Sequence, residues 1–229
     1  MHASSLFKIA KDACKRCNKE FGPREHAGGD PIVSIVFSAA AAEAFMNEAI
    51  VLVPSAIELS KLQGMLAEHP GVAKFEALCT ATEEARGSVK LKFMMGRLAF
   101  TGEVYDKGTR PYQDFDLLIK VRNWLLHMRP LDVVDWNPAK LSPGMLPPTV
   151  EVPPFVKGLR SKNLLVDKAQ NEVPNSFYDL STPATASWAC ETAAAMVQSF
   201  IEVVPDTGQI GCYRQTLNLL FGHYFTVEK

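Results

Sequence analysis

Residues 32–53 read IVSIVFSAAAAEAFMNEAIVLV, and this apolar stretch decides the fold. Its length would suit a membrane-spanning helix. Three polar side chains, Glu43, Asn47 and Glu48, lie in its middle, and a carboxylate at that depth in a bilayer costs several kcal/mol. The stretch therefore predicts a long helix buried inside a soluble protein, with no membrane contact.

Signals on both sides of this stretch set the expected limits of the helix. Gly28 and Gly29 supply a linker, Asp30 is a suitable N-cap, and Pro31 suits the first helical position. Pro54 is expected to end the helix, because proline lacks the N–H that the next turn needs. Apolar residues at helical spacing, separated by Gly and Pro, predict further helices at 4–21, 56–68, 71–86, 88–100, 112–128, 187–204 and, in short form, 211–221.

Residues 130–187 differ in composition from the rest of the chain. They hold nine of the fifteen prolines, so a long helix cannot persist there. Short strands are expected at 149–152 and 164–166, and Ser187 is the expected N-cap of the helix that follows. The prediction is an all-α single domain, residues 1–229, built as an up-and-down helical bundle with an N-terminal helix and linker (1–30) and a long proline-rich insertion before the last bundle helix.

Charge and cysteine content exclude two classes of protein. A formal net charge of −1 excludes a chain that coats nucleic acid through a broad basic surface, although a small local site is compatible with it. Five cysteines without dense spacing argue against a secreted disulfide scaffold and favour a reducing, cytoplasmic compartment. Cys14 and Cys17 form a C-x-x-C with His26 nearby, but a structural zinc site needs four ligands, and both cysteines lie on an apolar stripe. No metal and no other cofactor is predicted.

Two polar side chains interrupt the apolar face of the long helix. Glu43 and Asn47 are four residues apart and therefore lie on the same stripe. A buried carboxylate needs a partner, because an unpaired buried charge is strongly destabilising. Two interpretations stay open: Glu43 points to solvent at the edge of the stripe, or Glu43 and Asn47 hold an arginine from another helix.

The best candidate for that arginine lies in residues 121–130, VRNWLLHMRP. Arg122 and His127 are in the last turns of a predicted helix and are about 140° apart around its axis. They can therefore reach one cleft only near the helix end, or two copies can pool them across a dimer axis. Histidine exchanges protons near neutral pH and a guanidinium binds phosphate. Together they supply what RNA cleavage by 2′-hydroxyl attack requires, while the alternative is a buried bonding network that links two helices.

Three further basic residues lie on the predicted helix 88–100. Lys90, Lys92 and Arg97 are expected to form a solvated face, or to contact RNA phosphates if that face turns towards the cleft.

Several of these segments resemble one known family. Residues 117–130, LLIKVRNWLLHMRP, are similar to the signature helix of HEPN-domain proteins, in which a histidine follows an arginine after four to six residues, commonly with a polar residue directly after the arginine. Asn123 fills that polar place. FSAAAAEAFMNEAI (37–50) resembles the early helix of the family, with its glutamate and, four residues on, an asparagine. Residues 88–100, SVKLKFMMGRLAF, and 108–123, GTRPYQDFDLLIKVRN, are similar to the connecting region of the family, and residues 188–204 are similar to its closing helix.

The resemblance, which does not reach residues 1–30 or the insertion, implies a HEPN-like bundle that forms a homodimer and brings two arginine–histidine motifs into one cleft. Many members of the family are metal-independent endoribonucleases that act as toxins or in phage defence, and others bind RNA or proteins without catalysis. By this resemblance His127 is the general acid or base, Arg122 the phosphate stabiliser and Asn123 a positioning group, with Glu43 and Asn47 supporting the arginine. RNA is the expected partner, and any antitoxin or regulatory protein would be a separate chain.

Overall fold

The computed structural model describes residues 2–62, 70–127, 153–166 and 176–227. Throughout these ranges the regular structure is helical and contains no strand, which confirms the prediction of an all-α protein. The helices are α1 (His2–Glu20), α2 (Asp30–Leu62), α3 (Pro70–Glu84), α4 (Val89–Thr101), α5 (Tyr112–Leu126), α6 (Phe155–Ser161), α7 (Ser176–Leu180), α8 (Pro183–Val203) and α9 (Gly208–Leu217), which continues into a π-helical turn (Asn218–Gly222).

The long apolar helix α2 is the centre of the fold. It packs against α1, α8, α9 and α5, so it needs apolar side chains around most of its circumference rather than on one stripe. Several of its alanines, including Ala39, Ala42 and Ala49, are buried and allow the neighbouring helices to approach closely. In the part of the chain described, Asp30–Leu59 is also the one helical segment long and apolar enough to cross a membrane, a criterion that the core helix of a globular protein meets equally.

The predicted end of the long helix at Pro54 is wrong. α2 runs through Pro54 to Leu62 and so includes the start of the separate helix predicted at 56–68, while residues 63–68 lie outside the described ranges. Pro54 is exposed, so water can bond the carbonyl oxygen of Ile50, which loses its helical partner. Val53 and Ala56 on either side are buried, and this packing holds the helix together across the proline.

The described part of the proline-rich insertion holds two short helices, α6 and α7, rather than strands. Residues 164–166 are not a strand: the Leu164 carbonyl oxygen accepts bonds from the hydroxyls of Thr182 and Thr185. The predicted strand at 149–152 lies outside the described residues. The following helix, α8, begins at Pro183 and is capped by Thr182, whose hydroxyl accepts from the Thr185 N–H at 3.1 Å. The prediction of Ser187 as the N-cap is therefore wrong; its hydroxyl faces α1 instead, where it accepts from Asn18 Nδ2 at 3.0 Å.

A cluster of phenylalanines joins both ends of the chain to α2. Phe45 of α2 contacts the rings of Phe200, Phe221 and Phe225 edge-on, with centroids 5.0–5.9 Å apart. Phe225 also stacks on Phe7 of α1 at 4.4 Å. The N-terminal helix and the segment after α9 are therefore parts of one hydrophobic core.

Candidate functional site

The candidate site lies where the end of α5 crosses α2. The buried side of α5, with Phe115, Leu118 and Leu125, packs against the bundle, and this leaves Arg122 at the border between core and solvent. Arg122 Nη2 donates to Glu43 Oε2 of α2 at 3.0 Å. The side chains are 26% and 42% exposed, so the ion pair is half-buried. Glu43 thus contacts an arginine of another helix while part of its side chain stays exposed, and Asn47 takes no part in this contact.

Asn123 completes the hold on this guanidinium. Arg122 Nη1 donates to Asn123 Oδ1 at 3.0 Å, so both terminal nitrogens of Arg122 are engaged by partners on different helices. Each of these nitrogens carries two N–H groups, and each therefore retains one N–H for a ligand beyond its bond to Glu43 or Asn123. The guanidinium is thus fixed in orientation and keeps the paired donors that a phosphate accepts.

His127 is the residue at which α5 ends. Its backbone leaves the helical region, and its amide donates to the carbonyl oxygens of Asn123 and Trp124, both at 3.1 Å. The side chain is exposed and lies one helical turn beyond Asn123. Within the described ranges no hydrogen bond joins the His127 ring to Arg122 or Asn123. The structure therefore brings Glu43, Arg122 and Asn123 together and leaves His127 open to solvent nearby.

Asn47 does not contact Arg122. Its Oδ1 accepts from Lys92 Nζ of α4 at 2.6 Å, and Lys92 also forms an ion pair with Glu83 of α3. The expectation that Lys92 lies on a solvated face is wrong, because Lys92 is 6% exposed. One signal in the sequence could have found it: Lys92 lies at helical spacing between Val89 and Gly96, two residues of the buried stripe of α4.

One ion pair, Lys90–Asp116, joins α4 to α5, and a second, Lys120–Asp116, lies within α5. Asp116 accepts from Lys90 and from Lys120, each at 2.6 Å. Burial acts to raise the pKa of Asp116, but the hydrogen bonds from Lys120 and Lys90 outweigh it and hold the pKa below its ordinary value. The two lysines and Asp116 together carry one net positive charge, because a single carboxylate neutralises only one of the two ammonium groups.

The residues of the C-x-x-C and His26 are not brought together. Cys17 Sγ donates to the Cys14 carbonyl oxygen at 3.2 Å, and the His26 ring stacks on Tyr178 at 3.9 Å. Among the residues that the structure describes, no group of three or more potential metal ligands is present.

Comparison of the chain with protein-family models, with curated proteins and with solved structures finds no match. The geometry around Arg122 is therefore the basis for a functional proposal.

Proposed function

We propose that this chain is a metal-independent endoribonuclease of HEPN type, a cytoplasmic homodimer that acts as a toxin or in phage defence. His127 serves as general acid or base, Arg122 stabilises the phosphate, and Asn123 positions the arginine. The observation that carries the proposal is the Arg122 guanidinium, fixed by Glu43 and Asn123 at the end of α5, with the exposed His127 one turn beyond Asn123.

The proposed reaction follows from what these two side chains can do. His127 accepts the proton of an RNA 2′-hydroxyl, the 2′-oxygen attacks the adjacent phosphorus, and the bond to the 5′-oxygen breaks. The leaving 5′-oxygen takes a proton from a second acid, for which the His127 of a second copy is the natural candidate in a two-fold dimer. Two N–H groups of Arg122 offset the negative charge that grows on the phosphate oxygens. The products are a 2′,3′-cyclic phosphate and a 5′-hydroxyl.

A non-catalytic HEPN-like module that binds RNA or a protein is the second candidate. One observation favours it: the charge of Arg122 is already balanced by Glu43 at 3.0 Å. A neutralised guanidinium offers less charge to a transition state than an unpaired one does.

The experiment is RNA cleavage by the purified full chain in the presence of EDTA. The proposal predicts fragments with cyclic-phosphate ends from the wild-type protein, and a loss of about 10²- to 10⁴-fold in rate for His127→Ala, which is the usual contribution of an acid or base. Arg122→Lys keeps the charge but not the paired donors, so its rate is also expected to fall.

The matched control is His223→Ala, which removes another exposed histidine and is expected to leave the rate unchanged. Cleavage that His127→Ala does not slow, or that EDTA abolishes, would contradict the catalytic proposal. RNA binding without cleavage by the wild-type protein, weakened by Arg122→Ala, would support the second candidate instead.

A further inference from the structure

A cavity of about 250 Å³ lies between α1 and α8, away from the residues assigned to the proposed function. Its walls include Lys11, Cys14 and Asn18 of α1 and Ser187, Cys190 and Glu191 of α8. The end of the described chain borders it as well, because Lys11 Nζ donates to the carbonyl oxygens of Tyr224 and Thr226 at 2.9 and 3.4 Å. The cavity therefore has one cysteine in each of two facing helices, Cys14 in α1 and Cys190 in α8.

The thiol of Cys14 is surrounded by hydrogen-bond partners. Asn18 Nδ2 donates to Cys14 Sγ at 3.3 Å, Ser187 Oγ lies 3.5 Å from the same sulfur, and the Cys190 thiol borders the same cavity from α8. The neighbouring Cys190 thiol lowers the pKa of Cys14 most, burial opposes this effect, and Ser187 and Asn18 add to the lowering, so that the pKa is about 6. Hydrogen-bond donors near a sulfur favour the thiolate, which is the nucleophilic form.

Cys190 is the protonated member of the pair. It is 1% exposed, and its hydrogen bond to Cys14, together with burial, raises its pKa well above the ordinary value. The hydroxyl of Ser38 donates to Cys190 Sγ at 3.6 Å, and that of Ser34 lies at 3.3 Å. Of the two cysteines that border the cavity, Cys14 is therefore the one whose thiolate is favoured, and Cys190 is the one that keeps its proton.

Cys17, the nearer cysteine along the chain, is not placed for the same role. Its Sγ donates to the Cys14 carbonyl oxygen rather than to the Cys14 sulfur. Burial raises the pKa of Cys17 to about 11, so it stays a thiol. The reactive pair is therefore formed across two helices and not by the C-x-x-C spacing.

We propose that Cys14 is a site of oxidation by small hydroperoxides, and that Cys190 resolves the product into a Cys14–Cys190 disulfide. The Cys14 thiolate attacks one oxygen of hydrogen peroxide, an S–O bond forms, the O–O bond breaks, and hydroxide leaves and takes a proton. The sulfur loses two electrons and becomes a sulfenic acid. Cys190 sulfur then attacks Cys14 sulfur, the S–S bond forms, the S–O bond breaks, and the Cys190 proton leaves with the hydroxyl group as water.

The charged groups facing Cys14 come from both helices. Lys11 and Lys15 of α1 and Glu191 of α8 line the same cavity; Glu191 acts to raise the pKa of Cys14, whereas positive charge favours a thiolate. The two lysines also favour the developing hydroxide of the first step, because a cation stabilises an anion in a partly enclosed site.

The test treats the reduced, full-length protein with a few equivalents of hydrogen peroxide and maps its cysteines by mass spectrometry without reduction. The wild-type protein is expected to form the Cys14–Cys190 disulfide, and Cys190→Ser is expected to accumulate a sulfenic acid at Cys14 that dimedone traps. Cys14→Ser should form neither product, and the matched control Cys17→Ser should form the disulfide as the wild type does. Oxidation of Cys14 no faster than that of the buried Cys79, or a disulfide to Cys17, would overturn the proposal.

A second measurement follows the thiolate itself. The rate of Cys14 alkylation by iodoacetamide is expected to be half-maximal near pH 6. Asn18→Ala removes a donor from the cavity rim and Cys190→Ala removes the largest one, so each should raise the pKa of Cys14 and slow alkylation at pH 6, with less effect at pH 9. If the pH of half-maximal alkylation is the same in both variants as in the wild type, the role assigned to these neighbours of Cys14 is wrong.

Discussion

Glu43 is the residue that decides how Arg122 can act. Its carboxylate accepts from Arg122 Nη2 at 3.0 Å in a half-buried pair. A pair with this exposure contributes no more than about 1 kcal/mol to folding, so its main effect is on the orientation of the guanidinium.

Glu43→Gln is therefore expected to separate activity from stability. The substitution keeps the shape of the side chain and removes its charge. The amide holds the guanidinium less firmly than the carboxylate does, and misplacement of a catalytic group is expected to slow RNA cleavage by roughly 10- to 100-fold, while the free energy of unfolding should change by less than about 1 kcal/mol. Cleavage rates in EDTA and urea unfolding measure the two effects.

The matched control is Glu103→Gln, which alters an exposed glutamate 4.0 Å from Arg97 and is expected to change neither quantity. An unfolding free energy that falls by several kcal/mol in Glu43→Gln, with unchanged cleavage per folded molecule, would mean that Glu43 serves the fold alone.

For individual residues, the sequence leaves open whether Glu43 faces solvent or an arginine, and the structure shows the contact with Arg122. The expectation that Asn47 supports the same arginine is wrong, because Asn47 accepts from Lys92. Both polar side chains on the apolar face of α2 need a partner, because a buried polar group without one is destabilising. A carboxylate in an apolar helix needs a cation, and the arginine near the end of α5 was the most distinctive one. Lys92 was missed because three basic residues close together on one helix suggest a solvated face, although its spacing places it among the buried residues of α4.

Among the elements, α8 depends on the cap that holds its first turn. The Thr182 hydroxyl accepts from the Thr185 N–H at 3.1 Å and donates to the Leu164 carbonyl oxygen at 2.6 Å. Thr182 is completely buried, so no water can replace these bonds. One hydroxyl thus starts α8 and ties it to the segment that follows α6.

Thr182→Val should destabilise the protein by about 1–3 kcal/mol, because it removes the cap and leaves buried polar groups of Thr185 and Leu164 with fewer partners. The shift in urea midpoint measures this cost. Thr182→Ser keeps the hydroxyl and should lose less than half as much free energy of unfolding. The control Thr101→Val, at an exposed threonine, should have a free energy of unfolding within about 0.5 kcal/mol of the wild-type value. A loss of stability in Thr182→Ser as large as that in Thr182→Val would contradict the prediction, because the methyl group would then matter as much as the bonds of the hydroxyl.

The limits of α3, α4 and α5 were predicted to within two residues, because Gly87, Gly102 and Pro111 mark the loops between them. The limits of α2 and α8 were missed, and both errors concern proline. Pro54 predicts the end of a helix, but packing carries the helix past it. Pro183 lies in the segment predicted to be the insertion, although proline is favoured in the first turn of a helix, where the structure has it. Local signals are reliable where the chain is solvated and fail where tertiary packing decides.

In the whole molecule, α1 and the linker that follows it, which the family resemblance does not reach, are packed into the core. Two backbone hydrogen bonds join the linker between α1 and α2 to the start of α8. Ala27 N donates to the Ser181 carbonyl oxygen at 2.7 Å, and Ala184 N donates to the Pro23 carbonyl oxygen at 2.8 Å. Phe7 of α1 is completely buried against Phe225. We therefore expect α1 to unfold together with the bundle and not as an appendage. The sequence could not show this, because contacts between residues 7 and 225 leave no local pattern.

Phe225→Ala tests whether α1 unfolds together with the rest of the bundle. Phe225 is 1% exposed and contacts Phe7 and Phe45, so its truncation should lower the free energy of unfolding by about 3–5 kcal/mol. The control is Leu219→Ala, at a residue of the same C-terminal segment that is 74% exposed. It should lower the free energy of unfolding by less than about 0.5 kcal/mol. Because Phe225 joins α1 to α2, the loss should appear as one urea transition whose midpoint is the same by circular dichroism and by tryptophan fluorescence. Two separate transitions in the wild-type protein, the first releasing only helical signal, would instead show that α1 unfolds apart from the core and that its ring stack with Phe225 does not couple the two ends of the chain.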